Sequence, residues 1–297
     1  MTCALCGKDE KLLESHIIPK FVFNWIKDTS STGYLRQVNN VNKRMQDGLK
    51  LNLLCYNCEQ FFSSFEKKFA EKIFQPYTKA IENNFENYTF HSVEHEDWLL
   101  KFVISLQWRG LKYFRSLDNL NFTKKDEFEK YEKIWHEYLI GSRDDTGKSR
   151  SYIIFLSSFD NAEGYWGKPF PPNINFYLVR ATDCTPVVGD TTLAMYTKIG
   201  PIALFTTIHP RRFKGLESAL ISKNGILKTA QENKNATVVN FLYHTRPQEL
   251  LNRAQAMSER QKEKISRSYL ENPERVKNSL TQKMQILDTF MKKFSSR

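Results

Sequence analysis

The chain has 297 residues, 40% of them hydrophobic and 26% charged, with a formal charge of +11 and a pI near 9.3. That length and apolar content exclude a disordered chain and predict one large or two ordinary domains with real cores. The positive surplus makes a polyanion such as nucleic acid a candidate partner, because neutralised phosphates release counterions. The start, MTCALCGKDE, lacks the basic and apolar segments of a secretory signal. No apolar run reaches the roughly 18 residues of a membrane span. The sequence therefore predicts a cytoplasmic protein with no membrane association.

Four of the five cysteines fall in two Cys-x-x-Cys pairs, Cys3/Cys6 and Cys55/Cys58. Four thiolates in two bites are what a closed tetrahedral zinc site takes, and without an export signal metal is favoured over disulfides. A redox pair, or two unrelated buried pairs, is the competing reading. The 48 residues between the pairs do not argue against a shared ion. Loop closure costs only about 0.6 kcal/mol per doubling of length, against on the order of 10 kcal/mol for structural zinc. Gly7 follows the first pair where the chain must turn, and Asn57 lies inside the second pair. Cys184, between Asp183 and Thr185, reads as a buried thiol.

After the second pair, Phe61, Phe65, Phe69 and Ile73 recur every fourth position and predict a helix. A second helix is expected over 97–115, with Asp97 as its cap and Trp98, Phe102, Leu106 and Tyr113 on its buried face. A third runs over 123–139, capped by Thr123, carrying Phe128, Tyr131 and Trp135, and stopped by Gly141. Arg109, beside Trp108 on the otherwise apolar second helix, reads as one half of a buried ion pair or as a phosphate contact.

Beyond the polar loop 141–150 the period changes. SYIIFLSS, NINFYLVR, TLAMYTKI and IALFTTI predict strands of a small, mostly antiparallel sheet, with GYWGKPFPPN (164–173) connecting the first two. His209, in TIHPRR, reads as a strand-end histidine or as a phosphate contact beside Arg211 and Arg212. From residue 249 onward, eleven Lys or Arg face six Asp or Glu. Asn272-Pro273 is a helix start, followed by Val276, Leu280, Met284, Leu287, Met291 and Phe294 at amphipathic spacing. That helix either docks on its own domain or serves a protein partner or self-association.

The order of a cysteine knuckle, a strand holding Ser15-His16-Ile17-Ile18-Pro19, a long excursion, then Leu54-Cys55 and Cys58-Glu59 opening a helix resembles the zinc-containing HNH endonucleases. It is similar in particular to uncharacterised bacterial members, which share Gln46-Asp47-Gly48 and Phe62-Ser63. The resemblance covers roughly the first 75 residues. It implies an α+β chain: an N-terminal treble-clef ββα-metal zinc domain (1–75), a helical plus β-sheet domain (76–247) and basic amphipathic C-terminal helices (248–297).

The resemblance also implies a metal-dependent DNA endonuclease, with a role in defence against phage as an expectation by association. Cys3, Cys6, Cys55 and Cys58 would hold structural zinc. His16 would be the general base, since an imidazole titrating near neutrality suits deprotonation of water; the alternative is a histidine that only caps or hydrogen-bonds within the domain. A catalytic Mg²⁺ or Mn²⁺ would sit on Glu59, with Asp47 or Glu66 as further ligands. Asp47 before Gly48 is equally a turn signature, and Glu66 equally a solvated helix residue. Lys20, Arg36, Lys43 and Arg44 lie where DNA would approach. The chain departs from the family at Ser15, where an acidic or His ligand is usual, and at Lys50, where Asn is usual. The competing expectation is a degenerate treble-clef module that keeps zinc and binds nucleic acid or a protein partner without catalysis.

Overall fold

The computed structural model describes residues 1–84, 90–117, 124–158 and 168–295, and the side chains as far as residue 293. In chain order these give β1 (Leu12–His16), α1 (Lys20–Asp28), β2 (Leu35–Gln37), β3 (Asn40–Met45), β4 (Lys50–Cys55) and α2 (Tyr56–Phe69). Next come α3 (Gln75–Glu82), β5 (Ser92–His95), α4 (Asp97–Arg115), α5 (Lys125–Leu139), β6 (Arg150–Phe155) and α6 (Ile174–Arg180). Then follow β7 (Thr182–Val188), β8 (Leu193–Ile199), β9 (Ile202–His209), β10 (Leu220–Ile221) and β11 (Gly225–Lys228). The chain continues through α7 (Ala236–Asn240), α8 (Arg246–Arg253), α9 (Glu259–Glu271), α10 (Pro273–Asn278) and α11 (Leu280–Ser295). The protein is an α+β chain with a small antiparallel sheet and an N-terminal cysteine cluster.

Two compact units interleave along the sequence. One comprises Met1–Pro19, Leu49–Phe155 and Thr182–Lys234; the other comprises Lys20–Gly48, Leu156–Ala181 and Asn235–Arg297. The boundaries expected at 75 and 247 mark neither unit: the first falls at the start of α3 and the second within α8.

The first unit is built around a five-stranded sheet in the order β10-β6-β9-β8-β7, antiparallel at every pairing. β8 and β9 are central and buried along their length as far as Ile208. β7, which the sequence reading missed, lies at an edge, the place where a strand tolerates Pro186. α4 packs against this sheet and is buried almost all round from Trp98 to Leu111, with its buried Ser105, Gln107 and Arg109 each hydrogen-bonded. Its Gly110 is a close-approach residue: a Cβ there would stand 2.6 Å from Cys184 Sγ. Asp97 is not the cap; Glu96 holds that position, and Asp97 instead accepts from Tyr138 Oη and pairs with Lys101 at 3.1 Å. Trp98, Phe102 and Leu106 are buried as expected, while Tyr113 is half-exposed. α5 buries Phe128, Tyr131 and Trp135; its expected cap, Thr123, lies outside the described residues.

α2 uses a neighbouring stripe to the expected one. Phe62, Phe65 and Phe69 are buried while Phe61 is exposed, and Phe69 stacks on Phe102 of α4 with ring centroids 4.0 Å apart. The helix then widens into a π-turn, Ala70–Phe74, just before Pro76 in α3. Proline has no N–H to give residue i−4 and its ring collides with that carbonyl. The same device recurs in the other unit, where the π-turn Phe241–Thr245 precedes Pro247 in α8.

In the second unit, NINFYLVR forms a helix, α6, and not the expected strand. A short apolar run does not discriminate the two by period. The deciding partner is remote: Asp288 of α11 accepts the N–H groups of Asn175 and Phe176 at 2.9 and 3.1 Å, satisfying first-turn donors. α11 docks on α6 through its own unit, with Leu280, Met284 and Met291 buried and Leu287 half-exposed. The side chain of Phe294, and residues 164–167 of the expected connector, lie outside the described set. Among the described residues, no helix is long and apolar enough to cross a membrane.

Candidate metal centre and the histidine strand

β1 and β4 pair antiparallel, with Leu12 opposite Cys55 and His16 opposite Lys50, and α2 follows directly and packs on both strands. This places the second cysteine pair at one end of the hairpin and His16 at the other. The first pair is brought alongside by Ala4, whose N–H donates to Leu53 O at 3.0 Å. Gly7, at φ +72°, turns the chain so that its N–H reaches Cys3 O at 3.0 Å. His136 of α5 holds the same knuckle, its Nε2 lying 2.8 Å from the carbonyl of Leu5.

The four Sγ atoms of Cys3, Cys6, Cys55 and Cys58 lie within 4.8 Å of one another, with three of the residues buried and Cys6 exposed. Tetrahedral Zn–S bonds of about 2.3 Å place the sulfurs about 3.8 Å apart. Cys6 and Cys55 Sγ are separated by 3.8 Å, far beyond a disulfide. Cys55 N–H donates to Cys3 Sγ at 3.3 Å. Burial works against the Cys3 thiolate, but backbone N–H groups of Cys6, Cys55 and Leu5 outweigh it and bring the pKa down to about 7. Burial and the neighbouring thiols push Cys58 strongly upward. Without a cation the cluster cannot gather four thiolates; with one, all four are compensated. The quartet can thus hold a structural metal ion such as zinc.

His16 ends β1, half-buried. Arg109 supports that strand end from α4: Nη1 donates to His16 O at 2.8 Å, Nη2 to Glu66 Oε1 at 2.6 Å, and Nε to Ser105 O at 3.3 Å. Arg109 is 1% exposed, so the buried-ion-pair reading is the one the geometry supplies, and its position beside Trp108 in an apolar helix was the signal. Glu66 is thereby committed to Arg109 instead of an ion. Asp47 lies in the other unit, where its Oδ1 accepts the N–H of Gly48 at 2.9 Å in the turn that Asp-Gly announces. Among the described residues, the cysteine quartet is the one group of three or more His, Cys, Asp or Glu side chains arranged for a metal, so His16, Glu59 and Asp47 do not form a second.

Two polar atoms near this strand and helix are conspicuous. Ser15 Oγ, on a residue with no exposure, and Glu59 Oε1, in the first turn of α2, are both buried without a hydrogen-bond partner. Sequence reasoning named Glu59 but treated Ser15 only as a missing acid. Lys50, opposite His16, pairs with Glu14 at 3.6 Å.

The basic residues assigned to DNA all fall in the second unit. Lys20 opens α1 and Lys43 is exposed on β3. Arg36 donates to Val41 O at 2.7 Å, and Arg44 lies over the Tyr34 ring at 4.4 Å. No protein-family model, no curated protein and no solved structure matches the chain.

Proposed function

We propose that the ββα element of the first unit is a zinc-stabilised, HNH-type phosphodiesterase acting on DNA, with His16 as general base. The observation that carries this reading is the joint placement of β1, β4 and α2: a cysteine quartet at one end of the hairpin, His16 at the other, and α2 presenting Glu59. Zinc on Cys3, Cys6, Cys55 and Cys58 serves as scaffold. A divalent cation, when bound, would neutralise charge developing on the phosphate. Glu59 Oε1, buried without a hydrogen-bond partner, would be the carboxylate offered to such a hard cation. His16 takes a proton from water, and Arg109 fixes the strand end that carries it.

A second reading is favoured by the commitment of Glu66 to Arg109 and of Asp47 to its own turn. With one carboxylate left for a cation, the same element serves as a zinc module that binds nucleic acid or a protein partner without cutting.

Nicking of supercoiled plasmid by wild type and His16→Ala, with and without added Mg²⁺ or Mn²⁺, decides between them. Cation-dependent nicking that falls by about two orders of magnitude or more in His16→Ala supports the enzyme. Equal activity in both proteins, or none in either while zinc remains bound, supports the module.

A further inference from the structure

The second unit contains an open cleft of about 380 Å³ whose walls come from the 31–44 hairpin region, α9 and α10. Four cations line it: Arg44, Lys264, Arg267 and Arg275. A single carboxylate, Glu271, opposes them. On α9 the residues Lys264, Arg267, Ser268 and Glu271 stand at i, i+3, i+4 and i+7, so one helix face supplies two cations and a hydroxyl to the same wall.

The α10 side of the cleft is tied to the chain around residue 30. Arg275 donates from Nε to Ser30 O and from Nη2 to Lys27 O, both at 3.0 Å. Ser31 Oγ and Tyr269 Oη are 2.9 Å apart, tying the 31–44 region to α9. Arg44 is set by the Tyr34 ring beneath it. Beside it, Arg36 carries a buried Nη2 with no hydrogen-bond partner. Burial, and then the charge of Arg44, pull the Arg36 pKa down. Four cations thus share the cleft with one carboxylate, a surplus of positive charge that attracts an anion.

We propose that this cleft binds the phosphodiester backbone of DNA. The cations and the Ser268 hydroxyl match phosphate oxygens, and four positive charges against one carboxylate suit a chain of phosphates better than a single small anion. The identity of the polyanion rests on the nucleic-acid reading above, but the cleft belongs to the second unit and His16 to the first, so binding and nicking are read separately.

The test measures anisotropy of a labelled DNA duplex with the full chain at 50–200 mM salt, for wild type and for Lys264→Ala/Arg267→Ala. Both residues are exposed on α9, and a thermal melt confirms that the variant is folded. Loss of two phosphate contacts flattens the slope of log K against log salt by about 1.8, so the variant loses about twelve-fold less affinity than wild type across that range. Glu271→Gln, which removes the opposing charge, tightens binding. An unchanged slope in the folded double variant overturns the proposal even if wild type nicks plasmid, and so does a wild type that does not bind the duplex. Polyglutamate that displaces the duplex as well as unlabelled DNA does at equal charge concentration overturns DNA as the occupant. The flattened slope supports the proposal even if His16→Ala shows that nothing is cut.

Discussion

Arg109→Met tests whether the strand that ends in His16 is held from behind. The guanidinium is 1% exposed and Glu66 is 21% exposed. Removing one partner of a fully buried pair costs about 3–5 kcal/mol; because Glu66 keeps part of its surface in water, the lower end, about 3 kcal/mol, applies. With an m-value of about 2 kcal/mol/M, the urea midpoint falls by about 1.5 M. Arg109→Met/Glu66→Leu removes the stranded carboxylate, and apolar replacement brings stability back to within about 1 kcal/mol of wild type. The coupling in the double-mutant cycle is then about 2 kcal/mol plus the full cost of the single Glu66→Leu variant, which strands the buried guanidinium. A single variant within about 0.5 kcal/mol of wild type, or a double variant that merely adds two losses, would refute the ion pair as an organising contact.

Three further outcomes are expected. Purified protein carries one zinc per chain by metal analysis, Cys58→Ser loses it together with a cooperative melt, and affinity falls on acidification because protons compete for the thiolates. Gly110→Ala destabilises by about 1 kcal/mol in urea, since crowding against Cys184 Sγ at 2.6 Å outweighs the helix-propensity gain; in a Cys184→Ala background the same change becomes stabilising. Asp288→Ala costs about 1 kcal/mol, as for loss of a cap. Burial raises the Asp288 pKa above the ordinary carboxylate value, with the N–H groups of Asn175 and Phe176 opposing. The folded state therefore binds its proton more tightly, and a stability penalty grows as pH rises from about 4, the unfolded value, to beyond the folded one. Asp288→Asn removes that penalty, so the gap between wild type and Asp288→Asn widens over this range in urea titrations at stepped pH.

The cysteine quartet was legible because metal ligation constrains spacing within each pair and leaves the distance between pairs loose, so Cys3 and Cys58 announced a shared site across the whole excursion. α4, α5, β6, β8 and β9 were legible because their apolar content matches their burial. α6 was not: its sequence suits either state, and the choice is made by Asp288, 113 residues from Asn175. The choice between Phe61 and Phe62 likewise fell to the partner helix, since adjacent phenylalanines offer two stripes of the same period. Around His16 the sequence named the strand and Glu59. It could not say that Glu66 answers to Arg109, because that pairing depends on where α4 crosses α2. The cation-lined cleft combines residues near 44 with others near 270, a distance that no local pattern spans.

The interleaving of the two units has a consequence for biosynthesis. The segment Lys20–Gly48 leaves the ribosome early but belongs with Asn235–Arg297, which leaves much later. Its two ends are tethered meanwhile, since Ile17 N–H donates to Leu49 O at 3.1 Å within the first unit and the cysteine quartet clamps the chain on either side. α6 must wait as well, its first turn uncapped until Asp288 arrives. The nascent second unit therefore spends most of translation as an incomplete set of pieces, while the first is complete once Lys234 has been made. Chaperone dependence and sensitivity to premature termination should concentrate there, and a gene cut between consecutive stretches of sequence should yield neither unit intact.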